Sequence, residues 1–528
     1  MTSVVGADVV PRLLSTGPLT CWLVGADLRH VSMYGVEVVQ RIYAVVRDGQ
    51  WGTLTNHIIT QDISETADGF RVYTEVLAQR DGISYRAQFI HNGAPDGTLS
   101  VTYNGEANSA FTSMRLGLCV HHPQNLAGTL TRVGHSDGTS EEALIPVALA
   151  PWEPVRDIRS LETTVHETCI RLTFAGTIFE MEDQRNYGDA SFKTYCTPQA
   201  WPKPVAVAPG DRVTHGLTVH LLNHPEKPSP SAPLVTRIHL REQCAARARI
   251  GHLEHSNTGH VLVPVDLTGS WKERLAAAEY QRSCDGLPVM VSVAAEALTP
   301  AIARALTAAL PPDSELLILD DAVGSDCTAA LDLLRSAIPP GILVGAGSRQ
   351  QFTEINRGVR HVGDLLAFAI NPLVHADDDW SLLENTAAYA AIVSSAKAWG
   401  KPLRIGPLAL PLRDPRRTNE RGATWLIAAL AHVLPGLNSH DAITLASVKD
   451  LAGTPSATVL AALAATTELI DLSVSPGRIV AFATKMAADK RIFIANTGHL
   501  PATVLVSGLR QGSEALRLSA WGMAILDG

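Results

Sequence analysis

Apolar and polar residues alternate in short runs from about residue 20 to residue 225, which is the pattern of half-buried strands. Six runs separated by Gly, Asn or Asp follow one another: VEVVQRIYAVV, HIITQDISET, FRVYTEVLAQ, ISYRAQFIHN, GTLSVTYNGE and MRLGLCVHH. The Asn-Gly pairs in HNGAPDG and YNGEANS are strong hairpin signals. Helical periodicity is nearly absent, so residues 1–228 are predicted to form an N-terminal antiparallel β-sandwich.

The pattern changes after HPEKPSPSAP (224–233), whose four prolines and lack of periodicity predict a linker. Short apolar runs now alternate with Ala-rich helical segments, and eight runs are predicted strands: LVTRIHL, HVLVPVDL, PVMVSVA, ELLILDD, GILVGAG, DLLAFAI, PLRIGPLAL and DAITLAS. Eight βα units in series are what a closed parallel barrel requires. We therefore expect a multidomain α/β plus all-β protein, with a central TIM-like (β/α)8 barrel at 229–466 and a small C-terminal β domain at 467–528.

An acidic stretch, FEMEDQRNYGDASFKTYC, follows an apolar strand-like run and holds four carboxylates and two cations between Phe179 and Cys196. Glu180, Glu182 and Asp183 would repel one another unless Arg185 and Lys193 lie close to them, which predicts a tightly hydrogen-bonded corner. Two interpretations stay open. The corner is either a structural network of ion pairs or a site for a sugar acid or polyol, because carboxylates and arginine suit vicinal hydroxyls and a carboxylate product.

This stretch also carries a family resemblance, together with five further segments in matching order along the chain: IYAVVRDGQWGT (42–53), GLCVHHP (117–123), HSDGT (135–139), FTEINR (352–357) and INPLVHADD (370–378). With these segments the chain resembles the D-apionate lactonase family. The resemblance implies a bacterial sugar-catabolic hydrolase that opens a five-membered aldonolactone. It also implies an N-terminal β domain, a TIM-like barrel and a small C-terminal β domain.

Candidate site residues follow the predicted barrel strands, since the active-site groups of such barrels lie at the carboxyl ends of the strands. Four are assigned to catalysis: Asp320, Glu354, Asn371 and His375. Six are assigned to substrate binding: Asn356, Asp377 and Arg413, which follow barrel strands, and Glu182, Asp183 and Arg185, which lie in the acidic stretch of the predicted N-terminal domain. Together they provide an acid, a base and oxyanion-stabilising groups for hydrolysis.

Structural alternatives exist for several of these residues. Glu354 is also placed to pair with Arg357 three residues on, as an ordinary helix contact. His375 is equally suited to holding a loop, and Asp320 to capping the next helix. The eighth strand ends in Leu445, Ala446 and Ser447, where the family has tyrosines and a glutamate, so a pocket carboxylate is missing.

Three functions therefore remain in competition. The first is a lactonase acting on a sugar lactone similar to D-apionolactone, and the second is a barrel glycoside hydrolase that uses paired carboxylates. The third is a non-catalytic sugar-binding relative, which the missing acid would explain. In each case the expected partner is a small-molecule sugar lactone or glycoside, and pattern alone does not reveal the oligomeric state.

The composition narrows the classes of partner, cofactor and compartment that remain. The net charge of −9 with scattered acids and bases argues against nucleic acid, and the lack of an apolar run of about 18 residues argues against a membrane span. The seven cysteines are widely spaced and never form CxxC, and no zinc, GxGxxG or Walker pattern is found. We expect reduced cysteines, no metal, no cofactor and a cytoplasmic location.

Overall fold

The computed structural model describes residues 10–223, 235–254, 258–320, 327–358, 362–375, 378–464, 466–486, 489–510 and 512–527. The chain divides into two compact units, one of residues 1–184 and 191–231 and one of residues 185–190 and 232–528. The predicted linker at 224–233 lies outside the described residues.

The first unit consists of antiparallel strands. They are β1 Arg12–Thr16, β2 Leu19–Val24, β3 Asp27–Met33, β4 Val36–Asp48, β5 Asn56–Thr66, β6 Gly69–Arg80, β7 Ile83–Gly93, β8 Leu99–Ala107, β9 Phe111–Pro123, β10 Leu130–Gly134, β11 Ser140–Leu144, β12 Val155–Ile158, β13 Ser160–Val165, β14 Thr168–Ala175, β15 Phe179–Asp183, β16 Ser191–Tyr195, β17 Val205–Val207 and β18 Arg212–Leu221.

These strands form two nine-stranded sheets. One has the order β1-β2-β3-β4-β9-β16-β15-β12, with β17 also paired to β9, and the other has the order β11-β10-β13-β14-β18-β8-β7-β6-β5. Strand β8, LSVTYNGEA, alternates strictly between buried and half-buried residues, as expected for a sheet with one face in a core. Apolar residues from both sheets share one core, which confirms the predicted sandwich.

The second unit contains the remaining strands and the helices. The strands are β19 Val235–Ala246, β20 Arg249–Leu253, β21 Val261–Pro264, β22 Val289–Val293, β23 Glu315–Asp320, β24 Val344–Ser348, β25 Leu365–Ile370, β26 Leu403–Leu408, β27 Ala442–Leu445, β28 Glu468–Val474, β29 Ile479–Met486, β30 Asp489–Asn496, β31 Ala502–Leu509, β32 Gly512–Leu518 and β33 Met523–Asp527. The helices are α1 Trp271–Asp285, α2 Pro300–Ala309, α3 Thr328–Ala337, α4 Phe352–Gly358, α5 Asp379–Glu384, α6 Tyr389–Lys397, α7 Glu420–Val433, α8 Val448–Leu451 and α9 Pro455–Ala464.

Strands β20 to β27 close into a parallel eight-stranded barrel, as predicted. Most of these strands are buried on both faces, because apolar side chains pack against helices outside and against one another inside. Strand β22, VMVSV, is buried throughout. Helix α2 begins where Thr299 accepts a hydrogen bond from the backbone N–H of Ile302 at 3.2 Å, with Pro300 in the first turn.

One predicted barrel strand is wrong. The segment LVTRIHL contributes to β19, which lies in a separate seven-stranded sheet of order β32-β31-β19-β28-β29-β30-β33. Its residues alternate between exposed and buried, whereas barrel strands are covered on both sides. The first barrel strand is β20, RIGHL. The sequence pattern does not reveal it, because Arg249, Gly251 and His252 interrupt the apolar run by which the neighbouring strands are recognised. The other seven predicted runs contain barrel strands.

Candidate functional site

Two neighbouring strands of the barrel lead into the candidate site. Strands β24 and β25 pair in parallel, with Ser348 opposite Phe368, so their carboxyl ends lie side by side. Helix α4 follows β24, and the turn that holds His375 follows β25. Glu354 and His375 are therefore carried by adjacent strand ends, at the barrel edge where active-site groups are expected.

Residues 185–190, which come from the acidic stretch, belong to the same unit as the barrel. Asp189 is buried, and its carboxylate accepts a short hydrogen bond from Nδ1 of His375. Its second oxygen accepts from Nδ2 of Asn385 at 2.7 Å, and the Asn385 side-chain oxygen accepts from the backbone N–H of Ala190 at 3.2 Å. A carboxylate held in this way fixes the imidazole so that Nε2 of neutral His375 is the proton acceptor.

Tyr187 connects this pair to helix α4. Its hydroxyl accepts a hydrogen bond from Nη1 of Arg357 at 2.6 Å, and its ring meets the His375 ring edge-on with centroids 4.9 Å apart. Nδ2 of Asn356 donates to Oδ1 of Asn186 at 2.9 Å. Helix α4 and segment 185–190 are thus joined by side-chain contacts that also reach His375.

Glu354 lies one turn before Arg357 on α4. It is 8% exposed, and its Oε2 atom has no hydrogen-bond partner among the described residues. Burial raises the pKa of the Glu354 carboxyl, although the charge of Arg357 opposes this shift. A carboxyl that keeps its proton to higher pH is suited to act as a general acid.

Three other predicted residues lie outside this set of contacts, and Asp377 lies outside the described residues. Asn371 is exposed, and its Oδ1 accepts the backbone N–H of Leu373 at 3.0 Å, which closes a local turn. Asp320 is half-buried at the end of β23, and it does not cap α3, which begins after Cys327. Arg413 is exposed.

Glu182 and Asp183 lie on β15 of the sandwich unit. Glu182 accepts a hydrogen bond from Nε2 of Gln184 at 2.7 Å and lies 3.5 Å from Nζ of Lys193, while Asp183 accepts the backbone N–H of Ala150 at 2.9 Å. Burial lowers the pKa of Lys193 to about 8, and the charge of Glu182 opposes this shift. Both carboxylates are thus held by hydrogen bonds or an ion pair within the sandwich unit, and their assignment to substrate binding stays a prediction. Arg185, in contrast, is a buried member of the barrel unit.

Sequence reasoning missed the residues that organise the site, namely Asp189, Tyr187 and Asn385. Asp189 was one of the four carboxylates of the acidic stretch, and that stretch was the available signal. The partner of Asp189 lies 186 residues further along the chain, a distance at which no local pattern connects two side chains.

The groups brought together here suit acid–base catalysis. An oriented imidazole, a buried carboxyl and a guanidinium are adequate to activate water and to stabilise an oxyanion. Within the described residues no group of three or more His, Cys, Asp or Glu side chains is placed to hold a metal ion. No helix in the same part of the chain is both long and apolar enough to cross a membrane.

Comparison with solved structures yields low similarity scores. A GH30 endoxylanase from Clostridium papyrosolvens aligns with 56% of this chain and 100% of its own at 13% identity, with a TM-score of 0.36. A putative aldose 1-epimerase from Escherichia coli K12 aligns with 40% of this chain and 99% of its own at 12% identity, with a TM-score of 0.29.

Comparison with sequence families is more informative. Residues 5–224 match the model described as D-apionate lactonase, N-terminal domain, and residues 235–415 match that described as D-apionate lactonase, TIM barrel domain. A D-apionate lactonase from Brucella anthropi is 28% identical over 469 residues, which cover 77% of this chain and 74% of that protein. The two matched regions span most of the chain, and the chain therefore belongs to the D-apionate lactonase family.

Proposed function

We propose that this protein hydrolyses a sugar-derived γ-lactone similar to D-apionolactone, giving the open aldonate in carbohydrate catabolism. The observation that carries the proposal is the buried Asp189–His375 pair next to a helix that bears Glu354 and Arg357. The name of the Brucella anthropi relative supports a lactone as substrate.

His375 is the proposed general base. Its Nε2 atom takes a proton from a water molecule, and the water oxygen forms a bond to the lactone carbonyl carbon, which becomes a tetrahedral oxyanion. Asp189 is a positioning residue: its carboxylate holds the ring orientation and stabilises the imidazolium that forms. Arg357 provides positive charge for the oxyanion.

Collapse of the oxyanion breaks the bond between the carbonyl carbon and the ring oxygen. The protonated carboxyl of Glu354 gives its proton to that oxygen, which leaves as the hydroxyl of the open chain. The proton on His375 restores Glu354 through solvent, and the product acid ionises, so one proton is released per turnover. Asn371 and Asp320, at the ends of β25 and β23, are proposed to contact substrate hydroxyls.

Glycoside hydrolysis is less compatible with this arrangement. It requires two carboxyl groups that flank the scissile bond, one of them free to act as nucleophile or base. Asp189 is buried and already bonded to His375 and Asn385, which leaves Glu354 without a comparable partner in this set of contacts.

The test measures proton release from D-apionolactone and related γ-lactones. Wild type is expected to exceed the spontaneous rate, and His375→Ala and Asp189→Asn are expected to lower kcat by about 10²–10⁴-fold because the base is lost or misoriented. Arg335→Gln, which breaks a surface ion pair with Asp364 of the same barrel, is the matched control and should retain wild-type kcat.

The pH profile tests the role of Glu354. A general acid acts only while protonated, so wild-type kcat should fall as pH rises through the raised pKa of Glu354, and this fall should be absent from the residual activity of Glu354→Gln. Spontaneous hydrolysis is subtracted at each pH. A lack of lactone turnover by wild type, or full activity of His375→Ala, would refute the proposal.

A further inference from the structure

A short turn at the end of β4 presents a tryptophan to solvent. Oδ1 of Asp48 accepts the backbone N–H groups of Gln50 at 2.9 Å and Gly52 at 2.8 Å, and the Asp48 N–H donates to the Gly52 carbonyl at 2.9 Å. Trp51 sits at the tip with a φ of +68° and is 39% exposed. The turn belongs to the segment IYAVVRDGQWGT, which the proposed hydrolysis leaves without a role.

Two arginines flank this tryptophan. Arg47 on β4 and Arg115 on β9 are cross-strand partners, and their guanidinium carbons lie 5.9 and 5.7 Å from the centroid of the Trp51 ring. Arg47 is 8% exposed and Arg115 is 4% exposed. Two positive side chains thus meet at one aromatic ring in a largely buried position.

Neither guanidinium has a hydrogen-bond or ion-pair partner among the described residues, and both Nε atoms are buried without one. The carboxylates of this region are engaged elsewhere. Asp48 binds Arg80, Glu182 binds Lys193, and Glu180 accepts the Tyr195 hydroxyl at 2.6 Å. Among the described residues none of these carboxylates forms an ion pair with Arg47 or Arg115, although the charge of Glu182 acts on Arg115.

The contacts that the arginines do make leave their N–H groups unsatisfied. The cation–π contacts to Trp51 are near the outer limit of about 6 Å for such interactions, and a ring face does not replace a hydrogen-bond acceptor. Arg115 also lies 3.5 Å from the centroid of the Tyr195 ring. Because a buried polar group without a partner is destabilising, two such groups in one place point to a ligand that supplies the acceptors.

The space next to Arg115 can hold a small molecule. Arg115, alone among the two arginines and the tryptophan, lines a cavity of about 260 Å³ within the sandwich unit, together with Ser113, Thr177, Thr197 and Asp211. Hydroxyls and a carboxylate suit the hydrogen-bonding groups of a polyhydroxylated ligand. The guanidinium forks suit a carboxylate, and the indole ring suits the C–H face of a sugar.

We propose that Arg47, Arg115 and Trp51 form a binding site for a sugar acid, an aldonate or uronate whose carboxylate is held by the two arginines. This site lies in the sandwich unit and is separate from the residues assigned to hydrolysis, so it goes beyond the proposed function and does not depend on it.

The test is calorimetric titration of the full chain with sodium D-gluconate, with neutral D-glucitol and acetate as comparison ligands. The wild type and the His375→Ala variant should both bind gluconate saturably, which separates this site from the barrel. Arg115→Gln and Trp51→Ala should each weaken binding about tenfold or more, since the first removes a charge-assisted hydrogen bond and the second removes the aromatic contact to the sugar. Glucitol should not bind.

Trp152→Ala is the matched control, because Trp152 is an exposed tryptophan of the same unit. Circular dichroism verifies that each variant is folded. If Arg115→Gln does not fold, Trp51→Ala still tests the site, because Trp51 is partly exposed and its removal should not disturb the core. The proposal is overturned if gluconate does not bind, if both site variants bind it as wild type does, or if acetate binds equally well and so marks an anion site without sugar selectivity.

Discussion

His91 is a buried histidine whose ring nitrogens find no hydrogen-bond partner in the part of the chain that the structure describes. It lies on β7 with the same alternation as Tyr85, Ala87 and Phe89, so its side chain points into the sandwich core. Both ring nitrogens lack partners among the described residues, and burial lowers the pKa of His91 to about 4. The alternation identifies the inward face, but the absence of a partner depends on residues from other strands.

Replacement of His91 by leucine should make the sandwich less sensitive to acid. The unfolded chain binds a proton at His91 near pH 6.5, whereas the folded state binds it only near pH 4, so wild-type stability is retained above pH 6.5 and lost as pH falls toward 4. In the variant, the decrease in the free energy of unfolding on acidification should be about 3 kcal/mol smaller than in wild type. Urea unfolding at pH 7 and pH 4.5 measures this difference, and His166→Gln, at an exposed histidine, is the control. If the leucine variant showed the same pH dependence as wild type, His91 would not be the source of the acid sensitivity.

An ion triad, in which Glu315 and Arg404 are buried and Arg249 is half-buried, links three barrel strands at their amino-terminal ends. Glu315 at the start of β23 accepts hydrogen bonds from Arg404 on β26 at 2.5 and 2.7 Å and from Arg249 on β20 at 2.7 Å. Burial alone would raise the pKa of Glu315, but the two arginines hold it below its usual value. The strand periods predict that Glu315 faces inward with Leu317, yet they do not reveal which strands supply its partners.

Removal of the charge at Glu315 should destabilise the barrel strongly. In Glu315→Gln the buried guanidinium of Arg404 and the half-buried guanidinium of Arg249 lose their carboxylate, and we expect a decrease of about 3–5 kcal/mol in the free energy of unfolding. The matched control is Asp471→Asn, which breaks an exposed pair with Arg241 and should change stability by less than about 1 kcal/mol. Urea unfolding measures both variants, and equal losses would show that the triad is no stronger than a surface pair.

The seven-stranded sheet combines one strand that precedes the barrel strands in the sequence with six strands that follow them. Strand β19 precedes the barrel strands and lies between β28, to which it is antiparallel, and β31, to which it is parallel. Ile238 and Leu240 of β19 belong to the apolar core of that sheet. The predicted C-terminal β domain therefore includes a strand from the range that was assigned to the barrel.

A chain that ends after residue 466 should lose solubility. It retains β19 but lacks both neighbouring strands, so two strand edges and the side chains of Ile238 and Leu240 become exposed. We expect aggregation, measured as the soluble fraction and the elution volume in size-exclusion chromatography against the full chain. A soluble monomeric truncated chain with a cooperative unfolding transition would show that β19 does not need these partners.

The sequence by itself determined the strand patterns, seven of the eight barrel strands, the family and the strand-end positions of Glu354 and His375. The strand patterns, the barrel strands and the strand-end positions follow from which face of a local segment is buried, which the order of apolar and polar residues records. The family follows instead from the resemblance of six segments along the chain. Only the tertiary structure decided the sheet of β19, the pairing of Asp189 with His375 and the meeting of Arg47 with Arg115. These depend on contacts between distant segments, and periodicity carries no information about which distant segment lies opposite.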